Sequence, residues 1–411
     1  MKRRDFIKAG SAVAGLSFLG MDNMLTAEEE VWSRFTKKSV VWVWLGGGPT
    51  QFETFHAPTA NVPAEYRPVT GMLYDSKTDI ALGGLWENLY KHTDKLNVVN
   101  SFTHKDSSHR QGTHWVMTGQ YNPDRPNTAM AKYPSHGSIV SAVFGENHAD
   151  NGMPTYVKQG TISGEEPAWL GGAYKAFDPS NKENLSRKVE LERFNSRNSL
   201  VEEMSKTNIF SSGAESFERY RQQAQDVVLG VAGQAFDVSK EPNFLKEDYG
   251  DSDIGKQLMQ ARRLVEYGTR FVTIHYGGWD MHSNIKKSLE GRVPAIDKAL
   301  AAFIDDINQR GLNDEVLLVV TGEFGRTKLN ANNGRDHWPS ISSLLLSGGN
   351  YQAGRVIGKA DKSYSPTENP VTPIDLAALL FDHYGIDRNI QRTDTGGRPR
   401  YLLEGEGKVF L

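Results

Sequence analysis

Four apolar segments of strand length each break off into a loop that carries carboxylates or imidazoles, and this repeated ending constrains the chain more than anything else in it. Residues 39–45 run into Gly46-Gly-Gly-Pro-Thr-Gln-Phe-Glu53-Thr-Phe-His56, and residues 96–99 into Ser101-Phe-Thr-His104-Lys-Asp106-Ser107-Ser108-His109. Residues 270–274 run into Tyr276-Gly-Gly-Trp-Asp280-Met-His282. Residues 316–320 run into Thr321-Gly-Glu323-Phe-Gly-Arg326, continued by Gly334-Arg335-Asp-His337-Trp338. β-Branched apolar runs of this length read as buried strands of a parallel sheet. Such a sheet binds its ligands outside the carboxyl ends of its strands. The four loops are therefore expected on one rim.

The intervening text supplies the crossovers. Residues 256–267 place Leu258, Ala261, Leu264 and Val265 at helical spacing, with Gly268 as a stop before the strand at 270. Residues 293–307 repeat the pattern before the strand at 316, and Pro134-Ser-His136-Gly-Ser138 opens a helix through Val143. Residues 155–157 read as a further short strand and 342–347 as another. Thr372 caps a helix with Pro373 at its first position, and Gly385 ends it. Helix-then-strand order predicts an α/β fold with a mostly parallel sheet. Residues 28–411 are expected to form a single domain, with a charged helical excursion at about 181–253 whose one-sided pattern is clearest over Glu215–Val228.

The N-terminus reads as an address. Arg3-Arg4-Asp5-Phe6-Ile7-Lys8, followed by a small, weakly apolar stretch to Leu19, predicts a twin-arginine export signal over residues 1–27. The Tat export machinery is then a partner and the mature chain is periplasmic or secreted. The apolar run is shorter than the roughly 20 residues a bilayer span needs, so no stable membrane anchor is expected. Among 411 residues there is no cysteine, which removes disulfides and thiolate ligands together. Formal net charge is −3. A nucleic-acid footprint needs a basic stripe, and none is present.

The residue types at the rim suit a metal. Asp280 and His282 are separated by one residue, so in an extended loop both side chains point the same way. With Glu323 and His337 they form a carboxylate and imidazole group suited to a divalent ion, Zn or Mn, with Ca as an alternative that oxygen ligands would favour. His104, Asp106, His109 and His114 crowd one loop and helix start; His109 and then His104 are the candidates to face the site. His114 reads equally as an interior helix residue. Glu53 and His56 follow a glycine-rich turn that lacks the Gly-Lys-Ser/Thr of a phosphate loop. Arg326 and Arg335 carry the side chain suited to bidentate grip on a tetrahedral oxyanion, or else pair with Asp336 or Glu323.

Several runs resemble the signatures of the DUF1501 family of exported bacterial proteins. They are residues 47–56, 170–174, 261–266, 278–282 (Gly-Trp-Asp-Met-His), 322–327 (Gly-Glu-Phe-Gly-Arg-Thr), 334–339 (Gly-Arg-Asp-His-Trp-Pro) and 354–358. The family is similar to the alkaline phosphatase and sulfatase superfamily. That resemblance implies an alkaline phosphatase-like α/β fold, helices on both faces of the sheet, and metal-dependent hydrolysis of phosphate or sulfate esters. It sets Glu323 in the place of a metal-binding Asp, while Phe324 replaces the neighbouring His. Aligning Met117-Thr118-Gly119 on the superfamily Leu-Thr-Gly sets His109 where the nucleophile-forming residue belongs. No Cys and no Ser-x-Pro-x-Arg is present to become formylglycine, which excludes the ordinary sulfatase mechanism.

The expected function is thus an exported metal-dependent ester hydrolase. Asp280, His282, Glu323 and His337 would hold metal, with His104, Glu53 and His56 as further ligand candidates. His109 serves as ligand or acid/base, Ser107, Ser108 or activated water attacks, and Arg326 or Arg335 grips an anionic ester, such as a sulfated or phosphorylated glycan. The alternative is a non-catalytic exported binding or scaffold protein on the same fold.

Overall fold

The computed structural model describes residues 38–58, 62–122, 131–148, 151–180, 232–361 and 364–411. The export signal at 1–27 and the helical pattern at 215–228 lie outside the described residues.

A seven-stranded sheet forms the centre: β1 (Ser39–Trp44), β2 (Leu96–Val99), β3 (Tyr156–Gln159), β4 (Phe271–His275), β5 (Val316–Thr321), β6 (Leu344–Gly348) and β7 (Arg355–Ile357). Its order is β7-β2-β6-β5-β1-β4-β3. All neighbours are parallel except around β6, which runs antiparallel to both β5 and β2. Strands β1, β2, β4 and β5 therefore point the same way. In register, Trp44 lies opposite both His275 and Thr321, so three of these strands end level.

Alternation along β1 splits the core. Val41, Val43 and Leu45 pack on one face against α3 (Asp253–Glu266) and α4 (Val293–Gln309). Val40, Trp42 and Trp44 pack on the other against α1 (His109–Thr118), α2 (His136–Phe144) and α5 (Pro373–Tyr384). Because both faces are covered, every residue of β1 is buried and the strand reads as a continuous apolar run. The fold is the expected α/β arrangement, a mostly parallel sheet with helices on both sides. Thr372 and Asp375 form a reciprocal capping box at the start of α5, and Gly385 closes it at φ +66°. No helix among the described residues is long and apolar enough to cross a membrane.

One buried acid gives this core a pH dependence. Glu165, from the loop after β3, accepts hydrogen bonds from the hydroxyls of Tyr156 and Thr273, while its second oxygen is buried without a partner. Burial pushes its carboxyl up from 4.5 to about 7, against the opposing hydroxyls. Between those values the folded chain holds a proton that the unfolded chain has released, so stability falls as pH rises through the window. The loss is on the order of 3 kcal/mol. Glu165→Gln is expected to flatten that decline and to be more stable than the parent at pH 8. An unchanged slope in denaturant unfolding between pH 5 and pH 8 would show that this carboxyl does not carry it.

Candidate metal centre

Close backbone contacts bring the strand-end loops together, and glycines permit them. Gly47 at φ +112° lies against the backbone of Trp279 and Asp280, where a Cβ would collide with the Asp280 amide. Gly48 at φ +79° lies against the Phe324 ring, and Gly334 lies against the His282 backbone. The hairpin of Gly325–Leu329 and Arg335–Trp338 is stitched to the loop after β4 by Arg335 N to Met281 O (3.0 Å) and Ile285 N to Asn333 O (2.9 Å). This stitching delivers His337 to Asp280 and His282.

Arg326 fastens the same loops from within. It is fully buried and donates to the carbonyls of Gly48 (2.8 Å), Arg335 (2.9 Å), Trp279 (3.3 Å) and Gly47, and to Asp280 Oδ1 (2.6 Å). Its donors are spent on the protein itself, so the expected grip on an oxyanion does not fit. Arg335 is corrected likewise. It too is fully buried, pairs with Glu53 Oε1 at 2.8 Å, and donates to the carbonyls of Glu65, Thr327 and Arg67.

Asp280 is the centre of the cluster. Its Oδ1 lies 2.9 Å from His282 Nε2 and 3.2 Å from His337 Nε2, and those two nitrogens are 3.1 Å apart. Its Oδ2 lies 3.3 Å from His109 Nε2. Ligand atoms of His109, Asp280 and His337 all fall within 4.8 Å of one another. Burial would raise the Asp280 carboxyl, but the Arg326 hydrogen bond and charge, with His337 and His109, hold it down to about 2. It is a carboxylate at every physiological pH. Asp280 and His282 are 44% and 46% exposed, so the cluster opens to solvent.

The outer nitrogen of each imidazole faces a group that can only accept. His337 Nδ1 meets the Ser107 carbonyl at 2.8 Å, His282 Nδ1 meets Asp336 Oδ1 at 2.7 Å, and His109 Nδ1 meets Glu323 Oε1 at 2.7 Å. Each Nδ1 must therefore carry the hydrogen, which in the neutral ring leaves Nε2 as a bare lone pair. Three such lone pairs converge on one carboxylate. Two of them face each other at 3.1 Å with no hydrogen to share, an arrangement that calls for a positive charge between them. Protonation of a ring is one answer, but burial lowers the His337 pKa; the Glu323 hydrogen bond, opposed by burial, raises that of His109, which lies outside this pair. A divalent ion supplies the other. Imidazoles oriented by carboxylates and carbonyls on the far nitrogen are the usual design of a metal site, and ligand separations near 3 Å are close to the roughly 3.3 Å edges of a tetrahedral shell with ~2.0–2.1 Å bonds. The residues fit a metal.

The structure sorts the other expected residues. Glu323 is buried behind His109, with Oε1 also taking the Gly47 amide at 2.8 Å; it orients the His109 ring, and its Oε2 is buried without a partner among the described residues. His104 is not at the cluster. It is buried, with Nε2 bonded to the Glu323 carbonyl and Nδ1 accepting the Asp106 amide at 3.2 Å. The Glu53 carboxylate is taken by Arg335, the Thr50 hydroxyl and the Val69 amide. His56 packs against Tyr364. Neither Glu53 nor His56 joins the Asp280 cluster. His114 is interior, accepting from the amides of Lys132 and Tyr133. The Ser107 and Ser108 side chains are exposed beside the cluster. Phe324, fully buried, floors the site 4.4 Å from the His337 ring. Asp336 went unnoticed as an orienting group, although it directly precedes His337 in sequence.

Residues 37–410 match the model of a family described as a protein of unknown function, DUF1501. No curated protein matches the sequence. Among solved structures, the chain is similar to PsFucS1 sulfatase from Pseudoalteromonas sp. at 13% identity and a TM-score of 0.41, covering 95% of this chain and 73% of that one. It is similar to a protein in the alkaline phosphatase superfamily from Vibrio parahaemolyticus at 10% identity and a TM-score of 0.39, covering 94% and 76%. It is also similar to the C-terminal periplasmic domain of EcEptC from Escherichia coli at 11% identity and a TM-score of 0.39, covering 89% and 86%.

Proposed function

The chain belongs to the DUF1501 family, and from the geometry of its rim we propose a metal-dependent hydrolase of phosphate or sulfate esters. One observation carries the reading: the bare Nε2 atoms of His109, His282 and His337 converge on the Asp280 carboxylate. Asp280, His282 and His337 would hold the ion, with His109 completing the group. A divalent ion there supplies Lewis-acid polarisation of an ester oxygen and acidifies water. Zn or Mn suits this donor set better than Ca, because imidazoles outnumber carboxylates.

The remaining roles belong to the chain's own residues. Glu323 and Asp336 fix the tautomers of His109 and His282. In the alternative to ligation, His109, whose proton affinity Glu323 raises, would hold or pass a proton at Nε2. Ser107 and Ser108 are exposed residues of the loop whose Ser107 carbonyl meets His337, and either hydroxyl is a candidate nucleophile in place of water. With both arginines committed inside the protein, neither grips the anion, and a bound ion would supply the positive charge for it. The paired Arg3-Arg4 ahead of a weakly apolar run supports a reading in which this chemistry acts outside the cytoplasm, on a phosphorylated or sulfated substrate such as a glycan.

The protein freed of metal by chelation is expected to cleave no member of a panel of aryl and sugar phosphate and sulfate esters, and to regain cleavage of at least one on addition of Zn or Mn. Binding of such esters without product in the metal-loaded protein would favour a non-catalytic binding protein instead.

A further inference from the structure

We infer that His275 is a substrate contact that holds the alcohol part of the ester, a reading that rests on the hydrolase assignment above. His275 is the last residue of β4, level with Trp44 at the end of β1 and two residues before the glycines that lead to Asp280. Its ring lies in a cradle made by the backbones of three loops. A Cβ on Gly46 would run into His275 Nε2, one on Gly277 would come within 3.1 Å of it, and one on Gly160, at φ +92°, would come within 3.0 Å of His275 Cβ. The ends of β1, β3 and β4 each leave out a side chain where this imidazole sits.

Having been given that room, the ring bonds to none of the described residues. His104, His109, His282 and His337 each tie at least one ring nitrogen to a named acceptor or donor, whereas neither nitrogen of His275 has a hydrogen-bond partner among the described residues. It is half-buried and feels the charge of Glu323, across the Gly46-Gly47 backbone. Burial lowers its pKa and so keeps it neutral. A neutral imidazole offers one donor and one acceptor, which matches a hydroxyl or ester oxygen better than an oxyanion. With an ion bound at Asp280, the acid part of the ester would be directed to that cluster, and the alcohol part is left for His275.

The test is histidine ring NMR on the Zn-loaded protein with ¹⁵N-labelled histidine, titrated with glucose 6-phosphate or glucose 6-sulfate and, separately, with inorganic phosphate or sulfate. The sugar esters are expected to shift both the cluster imidazoles and His275, while the inorganic ions shift the cluster alone. His275→Ala is expected to weaken ester binding by roughly 3- to 10-fold, the worth of one hydrogen bond, and to leave binding of the inorganic ions unchanged. Cluster shifts from the esters with His275 unmoved, or unaltered ester affinity in the variant, would overturn the contact. If no imidazole responds to any of the four probes, the hydrolase reading fails and this inference fails with it.

Discussion

Replacing Arg326 with alanine is expected to destabilise the fold by about 3–5 kcal/mol, the scale for breaking a buried charge network by removing one partner. The guanidinium serves the carbonyls of Gly47, Gly48, Trp279 and Arg335 together with Asp280 Oδ1, so its loss takes the donor from Gly47, Gly48 and Arg335 and unties three separate loops. Arg326→Lys keeps the charge but not the planar fork, and is expected to recover only a minor part of the loss. Urea unfolding and metal titration should fall together, because the loops that Arg326 ties are those that carry Asp280 and His337. A destabilisation below about 1 kcal/mol would mean that the rim is held by its other stitches and that Arg326 faces a ligand after all.

Asp280→Asn is expected to separate charge from shape. The amide oxygen can still accept from Arg326, so the fold should survive, but the carboxylate that all three bare imidazole nitrogens address is gone. Metal affinity should fall by more than the roughly 10- to 100-fold that loss of an outer-shell partner costs. Calorimetric titration with Zn on both proteins measures this directly, without a substrate. Equal affinities would place the ion, if one binds, somewhere other than at Asp280.

Much of the fold was legible because strands buried on both faces announce themselves. Residues 39–45, 96–99 and 316–320 could be read as strands from their apolar content alone, and the four loops do meet on one rim. Helix α5 was legible to its caps, since Thr372, Pro373 and Gly385 each have a positional reason to be there. Asp280, His282, His337 and His109 were recognisable as residue types that bind metal. What spacing could not reveal is direction. Arg326 and Arg335 look like anion-binding residues until their donors are counted against backbone carbonyls from distant loops, and only the folded chain supplies that count.

Glu323 shows the same limit from the other side. At the end of β5 it occupies the place expected of a ligand, yet its carboxylate is turned to the Gly47 amide and to His109 Nδ1. Phe324 beside it packs under Gly48 and the imidazoles, so the pair forms a floor and a brace. His275 falls between the strand expected at 270–274 and the loop expected from Tyr276, so the sequence pattern assigns it no role of its own. Only the three glycine backbones around it mark the ring as a side chain that the rim makes room for.

The central claim is that Asp280 and the bare imidazole nitrogens hold a divalent ion. Anomalous diffraction at the zinc edge from crystals of the Zn-loaded protein tests it most directly. The account predicts a peak about 2.0–2.2 Å from His282 Nε2, His337 Nε2 and an Asp280 oxygen. A peak elsewhere, or intact hydrogen bonds from protonated imidazoles to Asp280 with no peak at full zinc occupancy in solution, would contradict it.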